Sequence, residues 1–214
     1  MPKPPRFPAL QAILDVDASA AAGWEIPALT AAFLDGGATF LQLRAKHLPS
    51  GTLLQLCDRV VKTAAPYRAT VIVNDRVDLA IMCGAAGVHV GQDDLDPKAA
   101  RHLLGDDKIV GYSTHNVAQV TAALTEPVSY VAVGPIFGTQ TKATGYGPVG
   151  LELVAETSRL ARGLPIVAIG GITLETAPRV LAAGASCVAV IGDLLAGGDP
   201  KERTAAYLRA LRRV

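Results

Sequence analysis

The sequence has almost no net charge and no segment suited to a membrane. Its 20 lysine and arginine residues nearly balance 19 aspartate and glutamate residues, which gives a formal net charge of +1. So small a charge produces no field that would attract nucleic acid or an anionic membrane. No apolar run approaches the roughly 20 residues of a membrane span, and the proline-rich start has no signal-peptide core. We therefore expect small-molecule partners and a cytoplasmic location, with no nucleic acid and no membrane involved.

Cysteine is also scarce, with three residues in the whole chain. Cys57, Cys83 and Cys187 are far apart in sequence and stand in apolar surroundings. They show neither the pairwise spacing of a zinc site nor the even count of a disulfide framework. The sequence therefore predicts reduced thiols in the core of the protein.

Several catalytic and nucleotide-binding motifs are missing. No G-x-S-x-G sequence is present to carry a serine nucleophile. Neither a dinucleotide-binding G-x-G-x-x-G after the first strand nor a Walker A sequence occurs. A serine hydrolase, a Rossmann dehydrogenase and a P-loop nucleotidase are therefore not supported.

What the chain does contain is a regular alternation of short apolar segments with longer segments rich in alanine and leucine. Such alternation is typical of repeated β/α units around a parallel sheet. The length of 214 residues fits a bare eightfold barrel of roughly 200 to 250 residues. We predict an α/β protein in which residues 1–214 form a single (β/α)8 TIM-barrel catalytic domain, with parallel strands and an outer ring of helices. The predicted strands are 10–14, 39–43, 70–74, 87–90, 109–113, 130–133, 166–169 and 187–191.

Polar side chains cluster where the predicted strands end. In 41–46, LQLRAK, the alternation of a strand sends Gln42, Arg44 and Lys46 to the same side. A guanidinium fork and an ammonium group at a barrel mouth suit the many oxygens of a diphosphate. The alternative is a solvated strand end that forms salt bridges with its neighbours.

Carboxylates follow the third and fourth strands. VIVNDRVD at 71–78 supplies Asn74 and Asp75, and GVHVGQDD at 87–94 supplies Asp94. Two carboxylates from neighbouring loops suit Mg²⁺, which keeps several waters and takes its other ligands from substrate phosphates. General acid-base catalysis by this pair is one alternative. Helix capping by Asp75 and Asp93 is another.

Glycines follow the last two predicted strands, in AIGGI at 168–172 and in CVAVIGDLL at 187–195. In TIM barrels these two loops commonly bind a phosphate, helped by the N-terminus of a short helix. The loop 134–150 is long enough for an active-site lid, and a disordered insertion is its alternative. His89 lies within an apolar strand and is expected to be an interior residue with satisfied hydrogen bonds, whereas His115 at a strand end is a functional candidate.

Six motifs in this order resemble those of the thiamine-phosphate synthase family. They are Q-x-R-x-K at 42–46, ND at 74–75, GVHVGQDD at 87–94, the serine of GYSTH, GPIFGTQTK at 134–142 and AIGGI at 168–172. The resemblance covers nearly the whole chain. It implies a TIM-barrel transferase of alkyl groups other than methyl. Such an enzyme joins 4-amino-2-methyl-5-hydroxymethylpyrimidine diphosphate to 4-methyl-5-(2-phosphoethyl)thiazole, or to its carboxylated form, and releases diphosphate and thiamine monophosphate.

The resemblance also implies roles for individual residues. Asp75 and Asp94 would hold one Mg²⁺ per subunit, and the residues acting on the leaving diphosphate would be Arg44, Lys46, Ser113 and Lys142. The pyrimidine diphosphate would be bound by Gln42, Leu43, Arg44, Ala45, Lys46, Asn74, Ser113 and Lys142. The thiazole phosphate would be bound by Thr139, Gln140, Thr141, Gly171, Ile191 and Gly192.

Position 192 departs from the family pattern, because many relatives carry serine where this chain has Gly192. The loss of a hydroxyl contact predicts weaker or differently hydrated phosphate binding, without loss of function. A thiazole tautomerase of the same fold, in which His115 would transfer a proton, and a non-catalytic barrel that binds a phosphorylated ligand are the alternatives. The sequence leaves the choice between plain and carboxylated thiazole open, and likewise a homo-oligomer.

Overall fold

A computed structural model describes residues 7–138 and 145–212, which form a closed barrel of eight parallel strands. Each strand is hydrogen-bonded to its neighbours in chain order, and β8 closes the barrel on β1. The predicted fold class is confirmed. The strands are β1 (Leu10–Asp15), β2 (Phe40–Arg44), β3 (Thr70–Asn74), β4 (Gly87–Val90), β5 (Ile109–Thr114), β6 (Tyr130–Val133), β7 (Ile166–Ile169) and β8 (Cys187–Val190).

Helices connect the strands and form the outer layer. They are α1 (Val16–Ala21), α2 (Ile26–Asp35), α3 (Ser50–Ala64), α4 (Val77–Met82), α5 (Pro97–Leu104), α6 (Val117–Ala123), α7 (Gly150–Leu160), α8 (Ala177–Ala182), α9 (Gly192–Leu195) and α10 (Pro200–Leu211). Within the described residues, no helix combines the length and the apolar character needed to cross a membrane.

The alternation of side chains along each strand separates two apolar layers. Leu41 and Leu43 of β2 point outward into the layer between strands and helices. Phe40 and its counterparts Ile72 and Tyr130 on β3 and β6 point into the barrel. Because both faces of a parallel strand are covered, each strand reads as a nearly continuous apolar run, and this made the strands easy to locate from sequence.

The predicted strand boundaries differ from the observed ones by at most one residue. β1, β2 and β5 each run one residue further, to Asp15, Arg44 and Thr114. β2 begins at Phe40 instead of residue 39, and β8 ends at Val190 instead of residue 191. The three cysteines are free and buried, as expected for reduced core thiols.

Candidate active site

A cavity of about 430 Å³ opens at the carboxyl ends of the strands. Its size lies within the usual range of small-molecule sites, and this end of a TIM barrel is where active sites form. Polar residues of β1 to β5 occupy one part of its wall, and the glycine loops after β7 and β8 occupy another. The lining includes Gln11, Gln42, Arg44, Asn74, His89, Ser113, His115, Gly170, Gly171, Ile191, Gly192 and Asp193.

Arg44 lines this cavity at the end of β2, but it does not stand alone there. Its guanidinium forms an ion pair with Asp15 at the end of β1, and the two side chains are only 11% and 3% exposed. Asp15 also accepts a hydrogen bond from the Ala18 backbone N–H at 2.9 Å and so caps α1. Asp15 therefore holds one end of the guanidinium in place. The buried Nε of Arg44 has no hydrogen-bond partner among the described residues.

Lys46, Asp75 and Asp94 follow the ends of β2, β3 and β4 and are not among the residues that line the cavity. Lys46 Nζ lies 2.5 Å from Asp75 Oδ2. Burial raises the pKa of Asp75, contact with Lys46 lowers it and the neighbouring Asp94 carboxyl raises it again, with a net upward shift. The two carboxylates are thus close enough to repel each other, and a cation already lies against one of them.

Asp75 has a left-handed backbone conformation with φ +62°. That region is costly for most residues with a side chain, although aspartate adopts it more readily than most, and Arg68 and Arg162 also have a positive φ. The alternative that Asp75 and Asp93 cap helices is wrong, because the N-cap residues of α4 and α5 are Arg76 and Asp96.

Asn74 and Ser113 also lie where the sequence places them, in the cavity wall. Ser113 is 8% exposed, and its Oγ lies 2.8 Å from His89 Nε2. The other ring nitrogen of His89, Nδ1, lies 2.9 Å from the Tyr130 hydroxyl. The prediction of a satisfied interior His89 is confirmed, but one of its partners is a candidate site residue.

The glycine loops form the opposite wall. Gly171 has φ +64°, and a Cβ there would lie 2.5 Å from the carbonyl oxygen of Gly138, so only glycine fits. Ile191 and Gly192 stand at the N-terminus of the short helix α9. All three predicted residues line the cavity.

Asp193, the next residue of α9, forms hydrogen bonds with α10 and with the loop after β7. Its carboxylate accepts from Arg203 at 2.9 and 3.0 Å and from the Tyr207 hydroxyl at 2.5 Å. It also accepts from the backbone N–H of Leu174 in the loop after β7, at 3.1 Å. Burial and the neighbouring Asp193 carboxylate raise the pKa of Tyr207, which therefore stays protonated as a donor.

His115 lines the cavity next to the loop that leads to α7. Its Nδ1 lies 2.6 Å from the Gly134 carbonyl oxygen, and its ring stacks on Tyr146 with 3.9 Å between ring centroids. A carbonyl oxygen accepts only, so Nδ1 carries the hydrogen in this contact.

Two groups of predicted residues do not present a described side chain to the cavity. The Leu43 side chain is 1% exposed and, like that of the partly buried Ala45, belongs to the outer apolar layer, so only the backbone of either could meet a substrate. Thr139, Gln140, Thr141 and Lys142 lie outside the described residues. The alternative of a salt-bridged strand end is partly confirmed, because Arg44 and Lys46 are both ion-paired, although the Arg44 side chain is only 11% exposed and so is hardly solvated.

Sequence reasoning missed three residues of the site. Asp15 is the last residue of the first strand, where the rule of polar residues at strand ends would have found it. Gln11 lies within that strand and is 1% exposed, and its Nε2 has no hydrogen-bond partner among the described residues. Asp193 carried no signal, because its partners lie 10 and 14 residues further along the chain.

Comparisons with known proteins agree on one family. Residues 12–194 match the family model described as thiamine monophosphate synthase. Thiamine-phosphate synthase of Anaeromyxobacter dehalogenans is 45% identical over 179 residues, which are 84% of this chain and 79% of that protein. Thiamine-phosphate synthase of Koribacter versatilis is 46% identical over 176 residues, 82% of each chain.

One solved structure supports the same relationship, and a second shares the fold. Thiamine phosphate pyrophosphorylase of Pyrococcus furiosus superposes with a TM-score of 0.85 at 26% identity, over 96% of both chains. A 3-hexulose-6-phosphate synthase superposes with a TM-score of 0.65 at 18% identity, over 95% of this chain and 99% of that one, which shows a shared fold alone. The family model spans most of the barrel and the curated relatives share well over 30% of their residues with it, so the chain belongs to the thiamine monophosphate synthase family and is a transferase.

Proposed function

We propose that this transferase joins 4-amino-2-methyl-5-hydroxymethylpyrimidine diphosphate to 4-methyl-5-(2-phosphoethyl)thiazole, or to its carboxylated form. The products are thiamine monophosphate and diphosphate, and the carboxylated acceptor would also release its carboxyl group as carbon dioxide. One observation carries the proposal: a single cavity places Arg44 and Ser113 on one wall and Gly171 and Gly192 on the other. One wall thus offers charged and hydroxyl groups for a diphosphate, while the other offers backbone donors for a second phosphate.

In the reaction, the bond between the pyrimidine methylene carbon and a diphosphate oxygen breaks, and the bonding pair leaves with the diphosphate. Arg44, Lys46 and Lys142 stabilise the negative charge that grows on this leaving group. The electron-rich aminopyrimidine ring stabilises the resulting cation, and the thiazole nitrogen attacks it with its own lone pair. The new carbon–nitrogen bond therefore forms without a general base.

The residues present fit a magnesium ion. Asp75 and Asp94 lie close enough for each carboxylate to feel the other, and the Lys46 ammonium group shows that a cation is stable beside Asp75. Two carboxylates with the remaining ligands from water and phosphate is the usual coordination of Mg²⁺. When bound, the ion would neutralise charge on the diphosphate. Asp75 and Asp94 would hold it, and Lys46 would then turn to the substrate.

The two substrates divide the remaining residues. Gln42 and Asn74 supply amide groups at the pyrimidine side, with Leu43 and Ala45 limited to their backbone. Thr139, Gln140 and Thr141 supply hydroxyl and amide groups for the thiazole phosphate, beside Gly171, Ile191 and Gly192. The missing hydroxyl at Gly192 leaves only a backbone donor there, which weakens binding of this phosphate.

The test is an assay of the purified protein with both substrates and Mg²⁺. Diphosphate and thiamine monophosphate should appear in equal amounts, and neither should form when one substrate is omitted. Lys142→Ala should lower kcat by about two orders of magnitude or more, because it removes a cation from the leaving group. Lys98→Ala is the matched control, since Lys98 is 71% exposed on α5.

Other outcomes would favour the alternatives. Isomerisation of a thiazole carboxylate phosphate without diphosphate release would point to a tautomerase that uses His115. Binding of both ligands without turnover would point to a non-catalytic barrel. Rates with plain and carboxylated thiazole would identify the preferred acceptor, and light scattering of the same sample would test for a homo-oligomer.

A further inference from the structure

A chain of polar side chains crosses the interior of the barrel beneath the cavity. It runs from Tyr130 on β6 through His89 on β4 to Ser113 at the end of β5, with contacts of 2.9 and 2.8 Å. Tyr130 and His89 stack with 5.6 Å between ring centroids and 17° between ring planes. Both hydrogen bonds are buried, so each is protected from competition by water.

Gly111 makes this arrangement possible. In the register of the sheet, His89 pairs with Gly111, and Gly111 pairs with Tyr130 on the other side. His89 and Tyr130 thus flank a residue without a side chain and meet across it. A Cβ on Gly111 would lie 2.3 Å from the Tyr130 hydroxyl oxygen and 2.6 Å from His89 Nδ1, so glycine at this position is a condition for the contact.

The direction of the hydrogen bonds follows from Tyr130. Burial raises the pKa of this fully enclosed phenol, so it keeps its hydrogen. The nearby Gln11 amide partly offsets that rise, as expected for a donor facing the phenol oxygen. The contact is loose, since Gln11 Nε2 reaches no acceptor within hydrogen-bond geometry among the described residues. His89 Nδ1 is the side-chain atom that lies within hydrogen-bond distance of the Tyr130 hydroxyl among the described residues, so the hydrogen that the phenol keeps points to it.

A neutral imidazole carries one hydrogen. If Nδ1 accepts from Tyr130, the ring hydrogen lies on Nε2 and is donated to Ser113 Oγ. Ser113 then keeps its own hydrogen for a group in the cavity. The opposite tautomer would make Ser113 donate to His89 and leave its oxygen only as an acceptor, which would repel an anionic diphosphate.

We propose that His89 is a positioning residue for the reaction: it donates its Nε2 hydrogen to Ser113 and so directs the Ser113 hydroxyl hydrogen to the departing diphosphate. This inference rests on the proposed function. It gives His89, which lines the cavity, a role that is exerted through Ser113. Tyr130 fixes the tautomer, and Gly111 provides the space.

A double-mutant cycle on kcat tests the coupling. Ser113→Ala should lower kcat by about a hundredfold, the loss typical of one donor to a developing anion. His89→Leu should approach the same loss, and His89→Gln, which keeps a donor, should recover at least about tenfold of it. In the Ser113→Ala background, His89→Leu should change kcat by less than about threefold. Multiplying losses would overturn the proposal.

A second measurement does not depend on turnover. The ¹⁵N chemical shifts of the His89 ring should show the hydrogen on Nε2 in the wild-type protein, and Tyr130→Phe should perturb the Nδ1 signal. A hydrogen on Nδ1 would overturn the proposal even in an active enzyme. A protein with the Nε2 hydrogen that released no diphosphate would refute the proposed function, while the donor relation to Ser113 would stand.

The control for lost packing is Thr30→Val on α2, which removes a buried hydrogen bond of 2.7 Å far from the cavity. It should lower thermal stability and leave kcat unchanged in both backgrounds. Each His89 variant is first compared with the wild type by circular dichroism. Should His89→Leu fail to fold, Tyr130→Phe and His89→Gln complete the cycle with Ser113→Ala.

Discussion

The ion pair between Asp15 and Arg44 gives the sharpest test of how this site is held. Both side chains are nearly excluded from solvent. Asp15 has two roles, since it fixes the guanidinium and also caps α1 through the Ala18 N–H. Asp15→Ala removes both and leaves a guanidinium without its carboxylate in a buried position.

The expected loss of stability follows from these two roles. Removing one partner of a buried ion pair costs about 3–5 kcal/mol, because the other charge stays buried without compensation. Removing an N-cap side chain costs about 1 kcal/mol more. Against a typical total stability of about 5–15 kcal/mol, the Asp15→Ala protein should be close to unfolding at room temperature. Asp15→Asn should lose less, since asparagine is itself a good N-cap.

Two further variants separate the ion pair from general effects. Glu202→Ala breaks the exposed pair with Arg209, in which the side chains are 66% and 60% exposed. An exposed pair contributes about 0.2–1 kcal/mol. Replacing both buried partners, with Asp15→Leu and Arg44→Met together, should recover much of the stability because no buried charge remains. The same protein should be inactive, since it lacks the Arg44 guanidinium.

Urea unfolding followed by circular dichroism measures the stability of the wild type and of the four variants, and diphosphate release measures their turnover. The order of stability should be wild type, then Glu202→Ala, then the double replacement, then Asp15→Ala. Equal losses for Asp15→Ala and Glu202→Ala would refute the view that burial makes this pair strong. A fully active double replacement would refute the role of Arg44.

Three other predictions concern the metal and the glycine loops. Removal of divalent cations with EDTA should abolish diphosphate release while the circular dichroism spectrum stays unchanged, and Mg²⁺ should restore it. Asp193→Ala should lower the free energy of unfolding by about 2 kcal/mol, because Arg203 and Tyr207 lose a charged acceptor, and urea titration will measure it. Gly171→Ala should raise KM for the thiazole phosphate by about tenfold with little change in KM for the pyrimidine diphosphate, since a Cβ there displaces a backbone donor; equal changes in both constants would contradict this.

Much of the barrel could be predicted from sequence, because each buried parallel strand carries its own local signal. The strand at 87–90, GVHV, is short, apolar and followed by polar residues, and its observed bounds are the predicted ones. The placement of Arg44, Asn74, Ser113 and Gly171 in one cavity followed from the same logic, since all strands of a parallel barrel end at the same side.

The pairing of residues within the site could not be predicted, because it depends on register and side-chain reach. The sequence left open whether Arg44 and Lys46 face the substrate or form salt bridges, and it did not indicate that Asp15 and Asp75 would be their partners. Cys57 and Cys83, isolated in sequence, are neighbours in space, and their contact raises the pKa of Cys57 and lowers that of Cys83 to about 7. No spacing rule connects positions on two different helices.

Gly111 shows why such pairings matter for function. In the sequence it is a glycine inside a strand, where glycine normally weakens the strand. In the sheet it stands between His89 and Tyr130, and its missing side chain is what lets them touch. A residue that contributes no chemical group therefore determines whether Ser113 can receive a hydrogen from His89. In this barrel, the local sequence pattern specifies which residues reach the cavity, while strand register specifies which hydrogen-bond and ion-pair partners each of them has there.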